Sequence, residues 1–459
     1  DLRRHRFLAL YKTLHGRRAE FGIYPTAFLL NASFFTWLNR VFLTAAFQVA
    51  YYPRSRHCLI PECAQWVLTM NKRPLYFDYA ATTPVDARVI QVMVECLGFD
   101  GNFGNPASGS HVFGQQARLA VELARQQVAQ LINAQPEQII WTSGATESNN
   151  LALKGVAQAS GQSRGHIITS QIEHKAVLDT ARFLQDSGFE VTYLAPDANG
   201  LVSADQVSAA LRADTLLVSL MLVNNELGTV NDIPGIGRRV REHGALFHVD
   251  AAQGAGKVAI DLAEWAVDLM SFSGHKIYGP KGIGALYVGP RAQDRLQAQI
   301  HGGGHESGLR SGTLATHQIA GMGAAFALAS ESFAQELAHI GGLRQRLLEQ
   351  LADVPGLLCN GCPTQRIPHT LSLTFSEGSF NSAALSVELA YSATSACNSA
   401  SNAPSHVLLA LGHDAHKAGR TIRLSLGRFT REQDIDVAVK AIKASLAAPA
   451  PFWAVAQPL

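Results

Sequence analysis

From residue 139 to residue 288 the chain repeats one pattern, a short apolar run followed by a longer stretch with apolar residues at helical spacing. Parallel neighbouring strands need a crossover between them, and a helix is the usual crossover. The alternation therefore restricts the chain to an α/β fold with a mainly parallel sheet. Runs 139–142, 166–170, 191–194, 215–222, 246–249, 269–271 and 283–288 read as strands. Segment 115–132 sets Ala117, Val121, Ala124, Val128 and Leu131 on one helical face, and 176–186 and 234–243 look similar. The character changes near Glu331: 337–351 reads as a long helix, 371–375 as a strand and 432–446 as a closing helix. These predict a large domain over 84–330, a smaller one from 70–83 and 331–446, and an irregular tail over 447–459.

Hydrophobic residues form 47% of the 459, enough for more than one core. Lysine and arginine exceed aspartate and glutamate only by 38 to 36, which argues against a polyanion-binding protein and so against direct nucleic-acid contact. Residues 1–69 stand apart, with nine Lys/Arg against three acids, +6, which leaves −4 for the rest. A basic, acid-poor segment suits a targeting peptide. As a membrane anchor it is poor, because Arg40 inside the apolar stretch 28–52 would cost about 2.5–3.5 kcal/mol. The reading that fits best is translated sequence ahead of the true start, since Met70 directly precedes the globular pattern. Six cysteines, unevenly spaced, do not make a disulfide framework, so a reducing cytoplasm is expected. Cys359 and Cys362 form a single CxxC with no second pair, and no metal site is expected.

Three segments carry chemistry. Ser271-Phe-Ser-Gly-His-Lys276 puts one lysine after an apolar strand, where desolvation favours the unprotonated amine that carbonyl capture needs. A lone lysine in a turn is more often a surface residue, so its neighbours matter. Asp250, at the end of another apolar run, suits a protonated pyridine nitrogen or, more plainly, a helix cap. Thr142-Ser-Gly-Ala-Thr-Glu-Ser148 follows a strand and opens a helix, which suits an anion or an ordinary cap. Together the three make a grip for pyridoxal phosphate.

At these segments the chain resembles the cysteine desulfurases of the class V aminotransferase group, in the IscS/NifS branch. The resemblance runs from Tyr76 to about Phe429. It includes Asp78-Tyr-Ala-Ala-Thr-Thr-Pro84, Asn102-Phe-Gly-Asn-Pro-Ala-Ser108, Glu173-His-Lys-Ala176, Val223-Asn-Asn-Glu-Leu-Gly228, His248-Val-Asp-Ala-Ala-Gln253 and Gly302-Gly-Gly-His-Glu306. Arg310-Ser-Gly-Thr313, Ser395-Ala-Cys397 and Arg423-Leu-Ser-Leu-Gly427 continue it in family order.

The resemblance implies fold type I of the pyridoxal-phosphate transferases, with a mainly parallel seven-stranded sheet and a smaller C-terminal domain. It implies that Lys276 holds the cofactor covalently, Asp250 pairs with the pyridine nitrogen, Gln253 bonds the ring hydroxyl and His174 stacks on the ring. Ala145, Thr146, Ser273 and His275 would hold the phosphate. Thr313 would reach the partner subunit's phosphate in a homodimer. Asn225 and Arg423 would orient the ring and the substrate carboxylate, and Cys397 would take sulfur from L-cysteine as a persulfide, leaving L-alanine. An iron–sulfur scaffold or a tRNA-thiolation relay would then accept the sulfur. Residues 392–404 are small and polar and read as a loop, which suits an acceptor cysteine better than a buried one. Thr394 stands where the branch has glycine, which puts loop behaviour in doubt if that position needs positive φ. A selenocysteine lyase, an aminotransferase of the same fold and a non-catalytic partner are the alternatives. Neither Lys276 nor Asp250 is lost, which weighs against the last.

Overall fold

The computed structural model describes residues 73–162, 164–393 and 404–447. The expectations for 1–69, Thr394, Cys397 and 448–459 lie outside the described residues. The strands are β1 (Leu75–Tyr76), β2 (Ile139–Thr142), β3 (His166–Ser170), β4 (Glu190–Leu194), β5 (Thr215–Met221), β6 (Leu246–Asp250) and β7 (Leu269–Ser273). They continue as β8 (Gly284–Val288), β9 (Leu357–Asn360), β10 (Thr370–Phe375), β11 (Leu389–Ala390), β12 (Ser392–Ala393) and β13 (Thr421–Ser425).

All seven apolar runs between 139 and 288 are strands of one sheet, in the order β2-β8-β7-β6-β5-β3-β4. From β7 to β4 the neighbours are parallel, and β8 runs against both β7 and β2. Helices cover both faces, so the central strands are buried from end to end and show no polar alternation. One face packs Trp141, Phe247, Val249, Phe272 and Phe326 into a core. The other packs Ile167, Leu217, Leu246 and Leu286 against the helices Ala145–Ala159 and Lys175–Asp186.

A buried polar row crosses the sheet. His248 on β6 bonds Ser219 on β5 at 2.8 Å through Nδ1 and Ser271 on β7 at 2.9 Å through Nε2. Burial pulls the imidazole down to about 3, so it is neutral and joins three strands without a buried charge.

The change of character near Glu331 lies inside one helix, Thr316–Gln350, and not at its end. Its first half puts Ile319, Met322, Ala325, Phe326 and Ala329 into the core of the large sheet. Its second half gives Ile340, Leu343 and Leu347 to another core, shared with Leu371, Leu373, Leu424 and Ile435. The shift in composition is a shift of partner along an unbroken helix. The second core lies on a four-stranded antiparallel sheet, β12-β13-β10-β9, of which the sequence showed only β10. Strands as short as β12 carry too little pattern to be seen alone.

Arg428 ties these parts together. It bonds Asp86 at 2.8 Å and Glu336 at 2.9 Å, and its guanidinium lies 4.2 Å from the Tyr278 ring centroid. Asp86 also caps the helix Ala87–Val94. Removing Arg428 would leave largely buried Glu336 without its ion-pair partner and Asp86 with Arg88 alone. Arg428→Ala is therefore expected to lower unfolding free energy by about 3 kcal/mol or more, read from urea denaturation.

Candidate active site

The carboxyl ends of β3, β5, β6 and β7 open on a cavity of about 590 Å³. In parallel α/β sheets this edge is where ligands bind.

Lys276 enters it from a single helical turn, Gly274–Lys276, that follows β7 directly. Gly274 suits that turn, because a Cβ there would meet the Pro280 carbonyl at 2.9 Å. The turn is clasped by the segment 80–83. Thr83 bonds the His275 carbonyl through its N–H at 2.9 Å and its hydroxyl at 3.0 Å, and accepts from the Tyr278 N–H at 2.8 Å. Tyr278 holds a positive φ of 63°, and its hydroxyl accepts from the Arg428 N–H. Such a strained residue persists only where its surroundings fix it. The clasp brings the Ala80 and Ala81 carbonyls to 2.6 and 2.7 Å from the Lys276 amine.

Asp250 ends β6 with both oxygens engaged. Oδ2 accepts from Asn149 at 2.8 Å and Oδ1 from the Ala252 N–H at 3.0 Å. His174 caps the helix Lys175–Asp186, its Nδ1 accepting from the Ala176 N–H at 3.1 Å. In the neutral ring Nε2 then carries the proton. Burial lowers the proton affinity of His174. Burial also pulls His275 down to about 4, helped by the Lys276 charge.

At the cavity's other end the helix Ala145–Ala159 begins at Gly144 with no side-chain cap. Its unpaired N–H groups and dipole favour an anion. Glu147, in the first turn, is turned aside by Arg310 at 2.9 Å and by the Ser143 N–H at 2.7 Å. Gly144 and Gly284 approach so closely that a Cβ on Gly284 would lie 2.6 Å from the Gly144 Cα. Ser143, Ser273 and His275 line the same end. Buried Arg423 on β13 donates from Nη1 to the Asn225 carbonyl at 3.0 Å, and from Nη2 to Asp78 at 2.8 Å and Ser392 at 2.7 Å. Its Nε has no hydrogen-bond partner.

Ten residues singled out from the sequence line this one cavity: Ala145, Thr146, His174, Asn225, Asp250, Gln253, Ser273, His275, Lys276 and Arg423. Thr313 does not line it and is exposed. Cys397 lies outside the described residues. The donor set fits pyridoxal phosphate: an uncapped helix terminus and hydroxyls for the phosphate, an amine for the aldehyde, and a carboxylate for the ring nitrogen.

Several supporting residues escaped the sequence reading. Asn149 orients Asp250, and Asn224 folds the loop after β5 by accepting from the Glu226 and Leu227 N–H groups, both at 2.9 Å. Asp78 and Ser392 fix Arg423. Glu173, fully buried beside His174, accepts from Ser170 and from the Met221 N–H. Asn224, Asp78 and Glu173 sit inside motifs already noted and Asn149 directly follows one, and helical or strand spacing gives no sign of which side chain turns inward.

The aminotransferase class-V family profile matches residues 75–437. The cysteine desulfurase IscS of Azotobacter vinelandii is 59% identical over 372 residues, 81% of this chain and 92% of that protein. The IscS of Pseudomonas entomophila strain L48 is equally similar over the same span. Among solved structures, a NifS-like protein shares 36% identity at a TM-score of 0.75, covering 82% of this chain and all of its own. A structure described as SspA in complex with cysteine shares 42% at a TM-score of 0.69, covering 78% of this chain and all of its own.

Burial raises the Glu173 carboxyl from about 4.5 to about 8. Between these values the folded protein keeps a proton that the unfolded chain has lost, so stability falls as pH rises through the window. Glu173→Gln removes that dependence. Its stability relative to the parent is expected to climb between pH 5 and 8 by on the order of 3 kcal/mol in paired urea titrations. Parallel curves would mean that the carboxyl is ionised in the folded state.

Proposed function

Because this chain belongs to the class-V aminotransferase family, we propose that it is a pyridoxal-phosphate-dependent cysteine desulfurase, converting L-cysteine to L-alanine with Cys397 as the sulfur acceptor. The observation that carries this reading is the convergence of Lys276, Asp250, His174, Arg423 and the open helix terminus at Ala145 on one cavity. The similarity to proteins named cysteine desulfurase supports the choice of substrate.

In this reading the Ala145 and Thr146 N–H groups, with Ser273 and His275, hold the phosphate. Lys276 holds the aldehyde carbon, Asp250 the ring nitrogen and Gln253 the ring hydroxyl. Bound pyridoxal phosphate supplies an electron-withdrawing ring that eases removal of a proton from the substrate's Cα. Neutral His275 adds no second cation beside the amine. Asn149 and the Ala252 N–H keep Asp250 pointed at the cavity. Lys276, once free, takes the Cα proton. His174, with Nδ1 engaged, has only Nε2–H to offer. Arg423 keeps Nε and one Nη1 hydrogen for the substrate carboxylate, its other three hydrogens being engaged by Asn225, Asp78 and Ser392.

For sulfur transfer the Cys397 thiolate forms an S–S bond with the substrate sulfur as the substrate's Cβ–Sγ bond breaks. The electron pair and a proton go to the carbon that becomes the methyl of alanine. The described chain on either side of Cys397 supports this. Ser392 bonds Arg423 and Asp78. Ser405 donates to Glu226, and His406 bonds the Glu173 carbonyl at 2.9 Å. Both anchors lie against residues next to the cavity. Cys397 follows Ala393 by four residues, a span of at most about 14 Å in extended chain.

A homodimer completes the reading. Leu97, Phe99, Phe103, Val112, Phe113, Leu119 and Leu123 form an exposed apolar face that suits a second copy. Exposed Thr313 is then available to that copy's phosphate. In this reading the sulfur acceptor is a protein such as an iron–sulfur scaffold, and the compartment is the cytoplasm. The second sheet with its own core supports a smaller domain over 70–83 and 331–446 beside a larger one over 84–330.

Cys397→Ser is expected to abolish sulfur release from L-cysteine while the protein still binds pyridoxal phosphate. Undiminished sulfide production by that variant would overturn the assignment. Arg423→Lys loses the contacts to Asn225, Asp78 and Ser392 that fix the guanidinium and the free Nε–H it offers, and its KM for cysteine should rise about tenfold to a hundredfold in steady-state assays.

A further inference from the structure

Beside the cofactor cavity, and sharing Ala80 and Lys276 with it, lies a second small space of about 10 Å³, the size of one water. Lys257, Lys276, His369 and Tyr278 are among its walls. His369 is buried, 3% exposed, and neither of its ring nitrogens has a hydrogen-bond partner. Buried polar atoms without partners are rare, and here two of them belong to a residue on the wall of a water-sized hole. Lys257 and His369 lie outside every role assigned above.

A chain of hydrogen bonds joins the two lysines. Lys257 Nζ donates to Gln253 Oε1 at 2.9 Å, and Gln253 Nε2 donates to the Ala80 carbonyl at 2.8 Å. Lys276 Nζ donates to that same carbonyl at 2.6 Å. The Ala80 carbonyl can only accept, so it fixes the Gln253 amide nitrogen toward itself and the amide oxygen toward Lys257.

We propose that Lys257 accepts the proton that Lys276 must shed, across the small space the two share with His369, while Gln253 and the Ala80 carbonyl hold the amines in place. One N–H bond breaks at Lys276 and one forms at Lys257; a water between them takes one proton and gives one, and no electrons change hands. Lys257 acts on the reaction only through Lys276 and is a positioning residue in that sense. Two cations on the walls of one small space repel, so the pair holds fewer than two protons near neutrality. Burial, and then the Lys276 charge, pull the Lys257 amine down to about 7. Glu336 on the long helix opposes this, and Arg423 on β13 reinforces it. Burial holds His369 well below its ordinary value, with Lys257 as the second cause, so it faces the space uncharged.

The inference rests on the cofactor reading above, and the test separates the two. The full chain loaded with pyridoxal phosphate is titrated with base while its visible cofactor band is followed. In Lys257→Met the midpoint is expected to rise by about one pH unit, a tenfold gain in proton affinity at the Lys276 nitrogen. Lys257→Gln, neutral but still polar, should shift it the same way. An unmoved midpoint in either variant, with the parent's thermal unfolding temperature, overturns the proposal. The parent protein gives an independent reading: with lysines carrying 13C at the ε position, one lysine should titrate near 7. If none titrates below about 9, the proposal fails without recourse to any variant. If the parent forms no visible band at all, the cofactor reading falls, and the lysine titration still decides this one.

Discussion

An amine at the end of a buried strand needs acceptors, and the segment 80–83 supplies them to Lys276. The clasp between that segment and the turn 274–278 is the constraint on which the site depends. It joins a short N-terminal piece of the described chain to the carboxyl edge of the large sheet. The Ser425 hydroxyl accepts from the Ala80 N–H at 2.8 Å, so β13 holds the clasp from its other side. Arg423 lies two residues back on the same strand. The groups proposed to meet the cofactor and the substrate are therefore held through one connected set of contacts.

The electrostatics follow one design. Cations near the cavity are either engaged by fixed acceptors, as in Arg423, or pressed toward neutrality by burial, as in His275 and Lys257. Desolvation makes an unengaged charge costly there, so His275 and Lys257 give up their protons more readily than they would in water. Glu173 shows the acidic counterpart, a carboxyl kept neutral beneath the site. The anion end works differently. It relies on an uncapped helix terminus and on a glycine pair close enough to exclude side chains, so the attraction comes from backbone dipoles that cannot titrate.

Much of this was legible beforehand. The seven strands of the large sheet lie within two residues of their expected limits, because strands buried on both faces are continuous apolar runs and need no tertiary help to be seen. The second sheet was mostly invisible. Strands β9 and β12 are short and lie at the sheet's edges, and β13 reads equally well as a motif. The helix Thr316–Gln350 hid its length because its apolar face serves one core and then another.

The sequence by itself determined the layered α/β plan and the residue types that a pyridoxal-phosphate site requires, since strand period and motif order are local properties of the chain. Tertiary structure alone decided which side chains face one another. Ser392 meets Arg423 thirty-one residues away, and Gln253 reaches Ala80 across 173 residues. That Lys257 and His369 line one small space has no trace in spacing either. Contacts of that kind arise when distant segments close around a space too small for bulk water, and no local pattern encodes the shape of that space.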